Sequence, residues 1–309
     1  HVKWTDKKVA IIGAGPAGLN AALYAARKEL TVKVVTTDIG GQMLLTNEIE
    51  NYLGFPSISG FELADKMEAH VKQYPVEFVY AGVKSLVKEG DGTFTAHLDD
   101  GGELRGKACI VTAGKHSRTL DIPGEKEYTG RGVSYCATCD GPFYRKKTVA
   151  IVGGGDSAVQ AAIELAKLCP KVYLLVRSRI RAQEILVKRM KELENVKVYM
   201  GYTPEEVKGD KKVQGLVIKN KADGKTEELS VDGVFVEAGG IPNNSYLPSD
   251  VKVNSLGEIM TNKEGETNVD GLFAAGDVTD CRNKQVIIAA GEGAAAALAA
   301  HEYLLRSGL

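Results

Sequence analysis

The sequence predicts an α/β protein built from two Rossmann-like units, and three observations carry that prediction. A β-branched run, a glycine turn and an Ala- and Leu-rich segment follow one another twice, from Lys8 to Lys28 and again from Thr148 to Leu168. Each copy leads into a second apolar run, Thr31 to Val35 and Val172 to Val176. Three further buried-looking strands end in glycine: Ala108 to Gly114, Gly233 to Gly240, and Gly271 to Asp277. Strands alternating with helical segments are the signature of parallel sheets covered by helices.

Taken in order, Lys8-Val9-Ala10-Ile11-Ile12 reads as a strand buried on both faces. Gly13-Ala14-Gly15-Pro16-Ala17-Gly18 turns the chain, and Leu19 to Lys28 is the first helix. Phe94 to Leu98 alternates like a strand with one buried face. Ile122-Pro123-Gly124 and Ile241-Pro242-Asn243-Asn244 are rich in breakers and read as crossings between domains. Thr148 to Val152, Gly153-Gly154-Gly155-Asp156-Ser157-Ala158 and Val159 to Leu168 repeat the opening design. Val286 to Leu305 is Ala-rich and predicts a long closing helix.

A strand, a glycine turn and a helix N-terminus together form a phosphate site. The first glycine permits the turn, the second admits the pyrophosphate, and the third small residue lets helix and strand pack closely. A lone glycine pattern is weak, but here each lies between a predicted strand and helix. Two such sites imply two dinucleotides.

The composition narrows the class. The chain has 309 residues, 44% hydrophobic and 26% charged, as expected of a globular protein of two domains. No run of eighteen apolar residues occurs, and His1 to Thr5 has no apolar signal core, so no membrane partner is expected. A net charge of -1 with scattered lysines argues against nucleic acid. Five unevenly spaced cysteines do not read as a disulfide framework, and the expected compartment is the cytoplasm.

Within Ser134-Tyr135-Cys136-Ala137-Thr138-Cys139-Asp140-Gly141, the two cysteines three apart can close a small disulfide ring or share two zinc bonds. Structural zinc needs four ligands, and His1, His70, His97, His116 and His301 form no ligand pair, so no metal is expected. A carboxyl beside a dithiol can give a proton to the leaving thiolate and recover it, which makes Asp140 a catalytic candidate with Cys136 and Cys139. Cys109 and Cys169 sit in apolar segments and read as inert; Cys281 lies in a polar loop.

The ordered set of Gly13 to Gly18, Gly40-Gly41-Gln42, Glu50-Asn51-Tyr52, Cys136 to Gly141, Gly153 to Ala158, and Gly271 to Asp277 with Lys284-Gln285-Val286 resembles the low-molecular-weight thioredoxin reductases along essentially the whole chain. Ile49 to Tyr52 and Lys284 to Gly293 look closer still to the reductase portion of the alkyl hydroperoxide reductase flavoprotein. That protein carries an additional N-terminal dithiol domain, and with the first glycine turn at Gly13 no such domain is expected here.

The resemblance implies the two-dinucleotide-binding flavoprotein fold, two Rossmann-like three-layer domains with the second inserted into the first. Residues 1–117 and 241–309 would bind FAD, and residues 118–240 would bind NAD(P)H and carry the redox pair. Gly13, Gly15, Pro16 and Ala17 would hold the FAD pyrophosphate, with Gly41, Gln42, Asn51, Ala113 and Gly114 nearby. Gly276 and Asp277 would meet the ribityl chain and phosphate, and Gln285, Val286 and Ala289 the isoalloxazine ring. Gly153, Gly155, Asp156, Ser157 and Ala158 would hold the nicotinamide nucleotide. In the glutathione reductase type the cysteines follow the first FAD unit, where this chain has Gly40 to Leu44 and no cysteine.

The reductant turns on Val176-Arg177-Ser178-Arg179-Ile180-Arg181-Ala182. The resembling family's NADPH signature is HRRxxxR; here Arg177 and Arg181 match, while Val176 and Ser178 depart from it and the loop is one residue shorter. No acid ends the strand to bind an NADH ribose, so NADPH is expected, with NADH and reduced ferredoxin as alternatives. The expected activity is that of a thioredoxin-disulfide reductase, passing electrons through FAD and Cys136–Cys139 to thioredoxin or a thioredoxin-like protein. The alternatives are a reductase of a peroxidase-linked or glutaredoxin-like partner and a non-catalytic flavin-binding redox sensor. A homodimer is the family's assembly.

Overall fold

The computed structural model describes residues 8–46 and 48–307, so the segment His1 to Thr5, read above for a signal, lies outside the described residues. The chain divides into two compact units, one made of residues 1–116 and 241–309 and the other of residues 117–240.

The first unit opens with β1 (Lys8–Ala14), α1 (Pro16–Arg27), β2 (Thr31–Ile39), α2 (Gly60–Val71) and β3 (Val76–Tyr80). It continues with β4 (Val83–Lys88), β5 (Phe94–Leu98), β6 (Glu103–Gly106), β7 (Ala108–Val111) and the short β8 (Lys115–Ser117). The second unit holds β9 (Val133–Ser134), α3 (Ala137–Asp140), β10 (Thr148–Val152), α4 (Asp156–Ala166), β11 (Lys171–Val176), α5 (Glu184–Lys191) and β12 (Val196–Met200). It adds β13 (Tyr202–Gly209), β14 (Val213–Asn220), β15 (Thr226–Ser230) and β16 (Gly233–Val236). After β17 (Gly240–Pro242), β18 (Leu272–Ala274) and α6 (Val286–Arg306) complete the first unit.

The first unit has a parallel sheet in the order β18-β7-β1-β2-β3, with β1 at its centre. Side chains of β1 alternate between two cores, as a strand with both faces covered requires. Val9 and Ile11 pack with α1 and α6, whereas Ala10 and Ile12 pack with Phe94, Leu86 and Leu104 of the antiparallel sheet β4-β5-β6. The unit is therefore three-layered: helices, parallel sheet, antiparallel sheet.

The second unit repeats the plan. Its parallel sheet runs β12-β11-β10-β16-β9. Val149 and Ile151 of β10 face α4, while Ala150 and Val152 face Leu216 and Ile218 of the antiparallel sheet β13-β14-β15. The repeat seen in the sequence is thus a repeat in space, down to which residues of the first strand face the helices.

Helices start earlier than their apolar runs. α1 begins at Pro16 rather than Leu19, because proline at the first helical position has no N–H to satisfy and its φ is already helical. α4 begins at Asp156 rather than Val159, with an acid in its first turn. β2 runs on past Val35 to Ile39 through Thr36-Thr37-Asp38, a polar end that the apolar reading stopped short of. Two glycines set helix packing. A Cβ on Gly18 would stand 1.9 Å from Gly13 O, and one on Gly293 would stand 2.0 Å from Ala17 O, so each lets a helix touch backbone directly.

One expected crossing is displaced. Ile122-Pro123-Gly124 does not link the units; it packs within the second. Val207 N donates to Pro123 O at 2.9 Å, and a Cβ on Gly124 would stand 2.0 Å from Val207 O. The chain passes instead at His116–Ser117 and returns at Gly240–Ile241, where β8 and β17 pair as a two-stranded ribbon. Breakers there serve a close packing contact, not a passage. Among the described residues, no helix is long and apolar enough to cross a membrane.

Candidate active site

In the second unit Cys136 and Cys139 form a disulfide, with their Cα atoms 5.3 Å apart. The local fold follows from the sequence. Cys136, in extended conformation, caps the one-turn helix α3, and its Sγ accepts a hydrogen bond from Cys139 N at 3.0 Å. Ser134 braces the entry: its hydroxyl donates to Cys136 O at 3.2 Å and accepts from Cys136 N at 3.1 Å. Cys139 is exposed, whereas Cys136 and Asp140 are half-buried. Asp140 is the last residue of α3, directly after the second sulfur.

The nucleotide candidates of this unit gather at the C-terminal end of β10. Gly155 caps α4 without a side-chain hydrogen bond, and a Cβ there would meet nothing within 4 Å. That open space in front of a helix N-terminus is what a phosphate needs. A Cβ on Gly153 would lie 2.9 Å from Ala158 Cβ, which confirms their close approach. Arg181 N donates to Gly154 O at 2.6 Å, so the arginine loop folds back onto the glycine turn. Arg177, Arg179 and Arg181 are exposed beside it. Asp156 holds Gln183 through backbone N (2.8 Å) and Nε2 (2.9 Å), and Ser157 follows in the first turn of α4.

In the first unit the flavin candidates converge at the C-terminal ends of β1, β7 and β18. Gly15 caps α1, again with no side-chain cap and with open space at its Cβ position. Gly13, Pro16 and Ala17 flank it, and a Cβ on Gly41 would stand 3.4 Å from Gly15 Cα. Gly41 N donates to Asp38 Oδ1 at 3.1 Å. Gln42 Nε2 donates to Lys115 O at 2.6 Å, beside the Ala113-Gly114 turn. That turn is held by Asn243, which donates to Ala113 O through Nδ2 (2.8 Å) and to Gly114 O through its backbone N (2.9 Å). Asn51 Nδ2 donates to Gln285 Oε1 at 3.0 Å, joining two candidates 234 residues apart. Gln285 caps α6, Val286 is its first residue, and a Cβ on Gly276 would lie between Ala17 (2.9 Å) and Ala289 (3.6 Å).

Asp277 is the acid of this cluster. Burial raises its carboxyl above the usual carboxylate range, although Lys284 and Lys115 pull the other way. No described residue donates a hydrogen bond to it. A half-buried carboxyl with no protein donor fits a ligand hydroxyl, and the uncapped α1 beside Gly15 fits a pyrophosphate, so the residues present suit a flavin dinucleotide.

A charged triad adjoins this cluster and was not singled out from the sequence. Glu258 Oε1 accepts from Lys115 Nζ (2.7 Å) and Lys284 Nζ (3.1 Å), and Oε2 accepts from Asn254 Nδ2 (2.8 Å). Burial alone would raise the Glu258 carboxyl, but these donors outweigh it and hold it down at about 2. No local motif announces Glu258, because its partners are far along the chain. Two of the three other cysteines are inert: burial pushes the Cys109 thiol up to about 12 and Cys169 to about 11, which leaves both protonated. Among the described residues, no group of three His, Cys, Asp or Glu could hold a metal ion.

A disulfide in a CxxC helix, joined in one chain to two uncapped glycine-turn helices, matches a known family. The model of the pyridine nucleotide-disulphide oxidoreductases covers residues 7–293. The chain belongs to that family. Membership makes it an oxidoreductase and implies a flavin and a nicotinamide nucleotide. Its fold is that of the low-molecular-weight thioredoxin reductases: it superposes on the Lactococcus lactis thioredoxin reductase with a TM-score of 0.94 and 38% identity, over 97% of this chain and 99% of that one. It is also 40% identical over 303 residues to the F subunit of the Xanthomonas campestris alkyl hydroperoxide reductase, covering 97% of this chain and 57% of the relative. A Bacillus subtilis protein named NADH dehydrogenase is 40% identical over 309 residues, 99% of this chain and 60% of the relative. The chain thus spans about three-fifths of the length of these curated relatives.

Proposed function

We propose that this chain is an FAD-dependent thioredoxin-disulfide reductase that passes electrons from NADPH through Cys136–Cys139 to oxidised thioredoxin or a thioredoxin-like protein. The observation that carries this reading is the disulfide between two cysteines separated by two residues, one sulfur exposed, within a chain that also holds two dinucleotide turns.

The first unit, residues 1–116 and 241–309, binds FAD, and the second, residues 117–240, binds the nicotinamide nucleotide. When bound, FAD supplies the two-electron relay between nicotinamide and disulfide. The protein's own part is placement and proton handling. The N–H groups at the start of α1 hold the pyrophosphate, and Gly15 keeps the backbone bare for it. Asp277 accepts from a ribityl hydroxyl, while Gln42, Asn51 and Gln285 fix the surrounding polar wall. In the second unit α4 takes the nucleotide's pyrophosphate, and Arg177 and Arg181 pair with the 2′-phosphate of NADPH. Once the pair is reduced, a thiolate attacks the partner disulfide and forms a mixed disulfide. Asp140 gives a proton to the sulfur that leaves and recovers it afterwards. The working assembly is a homodimer.

A second reading takes NADH as donor and a peroxidase-linked dithiol protein as acceptor. It is favoured by the 40% identity, over nearly the whole of this chain, to one protein named as an alkyl hydroperoxide reductase component and another named NADH dehydrogenase. One matrix of assays separates the two. Each nucleotide is paired with oxidised thioredoxin, a glutaredoxin and a disulfide-form peroxidase module, and kcat/KM is measured for each pair. The first reading expects NADPH with thioredoxin to exceed every other pair by at least about tenfold, about 1.4 kcal/mol of discrimination. A maximum at NADH with the peroxidase module supports the second and overturns the first.

A further inference from the structure

Residues 177–183, between β11 and α5, form an irregular loop. Its Arg177, Arg179 and Arg181 are exposed, while Ile180 and Ala182 pack against the core that α4 shares. Two residues at the second glycine turn hold this loop. A Cβ on Gly154 would stand 3.0 Å from Arg179 O, and Arg181 N donates to Gly154 O at 2.6 Å. Asp156, the first residue of α4, takes Gln183 with both carboxylate oxygens: Oδ1 accepts from its backbone N at 2.8 Å and Oδ2 from its Nε2 at 2.9 Å. Gln183 is the N-cap of α5, so this one carboxylate fixes where the arginine loop ends and the next helix begins.

We infer that Asp156 is a positioning residue for nucleotide choice: by holding Gln183 it fixes the loop of Arg177, Arg179 and Arg181 in the conformation that receives a 2′-phosphate, and so sets the preference for NADP(H) over NAD(H). This inference rests on the proposed pairing of Arg177 and Arg181 with that phosphate. It gives Asp156, grouped by resemblance with the residues that hold the nucleotide, a part played through the arginines instead.

Asp156 has the wrong charge to hold a phosphate itself. An acid in the first turn stabilises its own helix but repels a pyrophosphate placed there. What its two oxygens do hold is the end of the loop that carries the arginines. Without that tie the arginines must be ordered when the nucleotide arrives, and the ordering cost weakens their pairing with the 2′-phosphate. NAD lacks that phosphate, so its affinity changes little. A purely electrostatic role has the opposite sign, because removing a negative charge favours the nucleotide with one more phosphate.

The test titrates NADP+ and NAD+ separately into the full-length, flavin-loaded, oxidised protein by calorimetry and reads the ratio of the two Kd values. Binding alone is measured, so no electron transfer is needed. Asp156→Ala removes both bonds to Gln183, and the preference for NADP+ is expected to fall by about tenfold. Asp156→Asn keeps the shape and both contacts: its oxygen accepts from Gln183 N, and its amide donates to a turned Gln183 side chain. Its preference is expected to stay at or above the parent's. An alanine variant whose preference equals or exceeds the parent's overturns the inference, as does an asparagine variant that falls as far as alanine. If the alanine variant does not fold, Gln183→Ala, which removes the Nε2 bond alone, is read in its place. A fall of about threefold supports the inference and an unmoved ratio overturns it. A parent that binds NAD+ more tightly sinks the pairing of Arg177 and Arg181 with a 2′-phosphate, and this inference with it. A parent that prefers NADP+, with that preference intact after the substitution to alanine, sinks this inference alone.

Discussion

At the scale of single residues, the proposed roles are separable. Replacing either Cys136 or Cys139 by Ser should lower nucleotide-driven reduction of a partner disulfide by at least about 10³-fold, because nothing else supplies an exposed dithiol. Bleaching of the flavin by nucleotide should persist in both variants, since the disulfide lies downstream; stopped-flow absorbance and a partner-reduction assay check the two halves. Arg177→Ala together with Arg181→Ala should raise KM for NADPH by roughly ten- to a hundredfold while changing KM for NADH little, as the loss of charge-assisted bonds to one phosphate implies. Equal effects on both nucleotides would leave the arginines as a solvated turn. Cys136, Cys139 and the glycines were legible because they form local patterns with a physical reason for their spacing. Glu258 was not, since it acts through partners brought together by the fold, Lys115 and Lys284.

Elements explain which substitutions the fold tolerates. α6 lies against α1 through small residues, with Gly293 touching Ala17 O and Asn20 Nδ2 donating to Ala290 O at 2.7 Å. Gly293→Ala places a methyl group where backbone already sits. It should cost about 1–3 kcal/mol and lower Tm by several degrees, with loosened flavin binding, because Ala17 and Ala289 flank the proposed site. Calorimetry of the flavin-loaded and flavin-free protein measures both effects. The Glu258 triad links the loop before β18 to Lys115 and to the approach to α6. A carboxyl held at about 2 contributes stability above its ordinary pKa and loses that contribution as pH falls toward 2. Glu258→Gln should therefore destabilise by about 1–3 kcal/mol near neutrality, and its Tm should approach that of the parent as the pH drops below about 4. A constant gap from pH 7 to pH 3 would contradict the assignment. Element boundaries were less legible than element types: the sequence placed the start of α1 at Leu19 and of α4 at Val159, because apolar periodicity is silent about a proline or acid in a first turn.

For the whole molecule, the repeated strand-turn-helix design made the α/β class legible, and the fold and family findings agree with it. The antiparallel sheets were harder to read. β13 to β15 carry exposed Lys and Glu among a small apolar set, too mixed to stand out beside the continuous runs of β10 and β16. The passage between units was misplaced at Pro123 because a breaker signals a bend and not what the bend packs against. The central claim is that electrons from a nicotinamide nucleotide reach the Cys136–Cys139 sulfurs. It is tested most directly by adding NADPH anaerobically to the purified yellow protein, quenching with an alkylating agent, and locating the label by mass spectrometry. The account predicts that Cys136 and Cys139 become labelled only after nucleotide is added, with Cys109 and Cys169 unlabelled throughout. A flavin that bleaches while the pair stays joined as a disulfide, under NADPH and NADH alike, would contradict it.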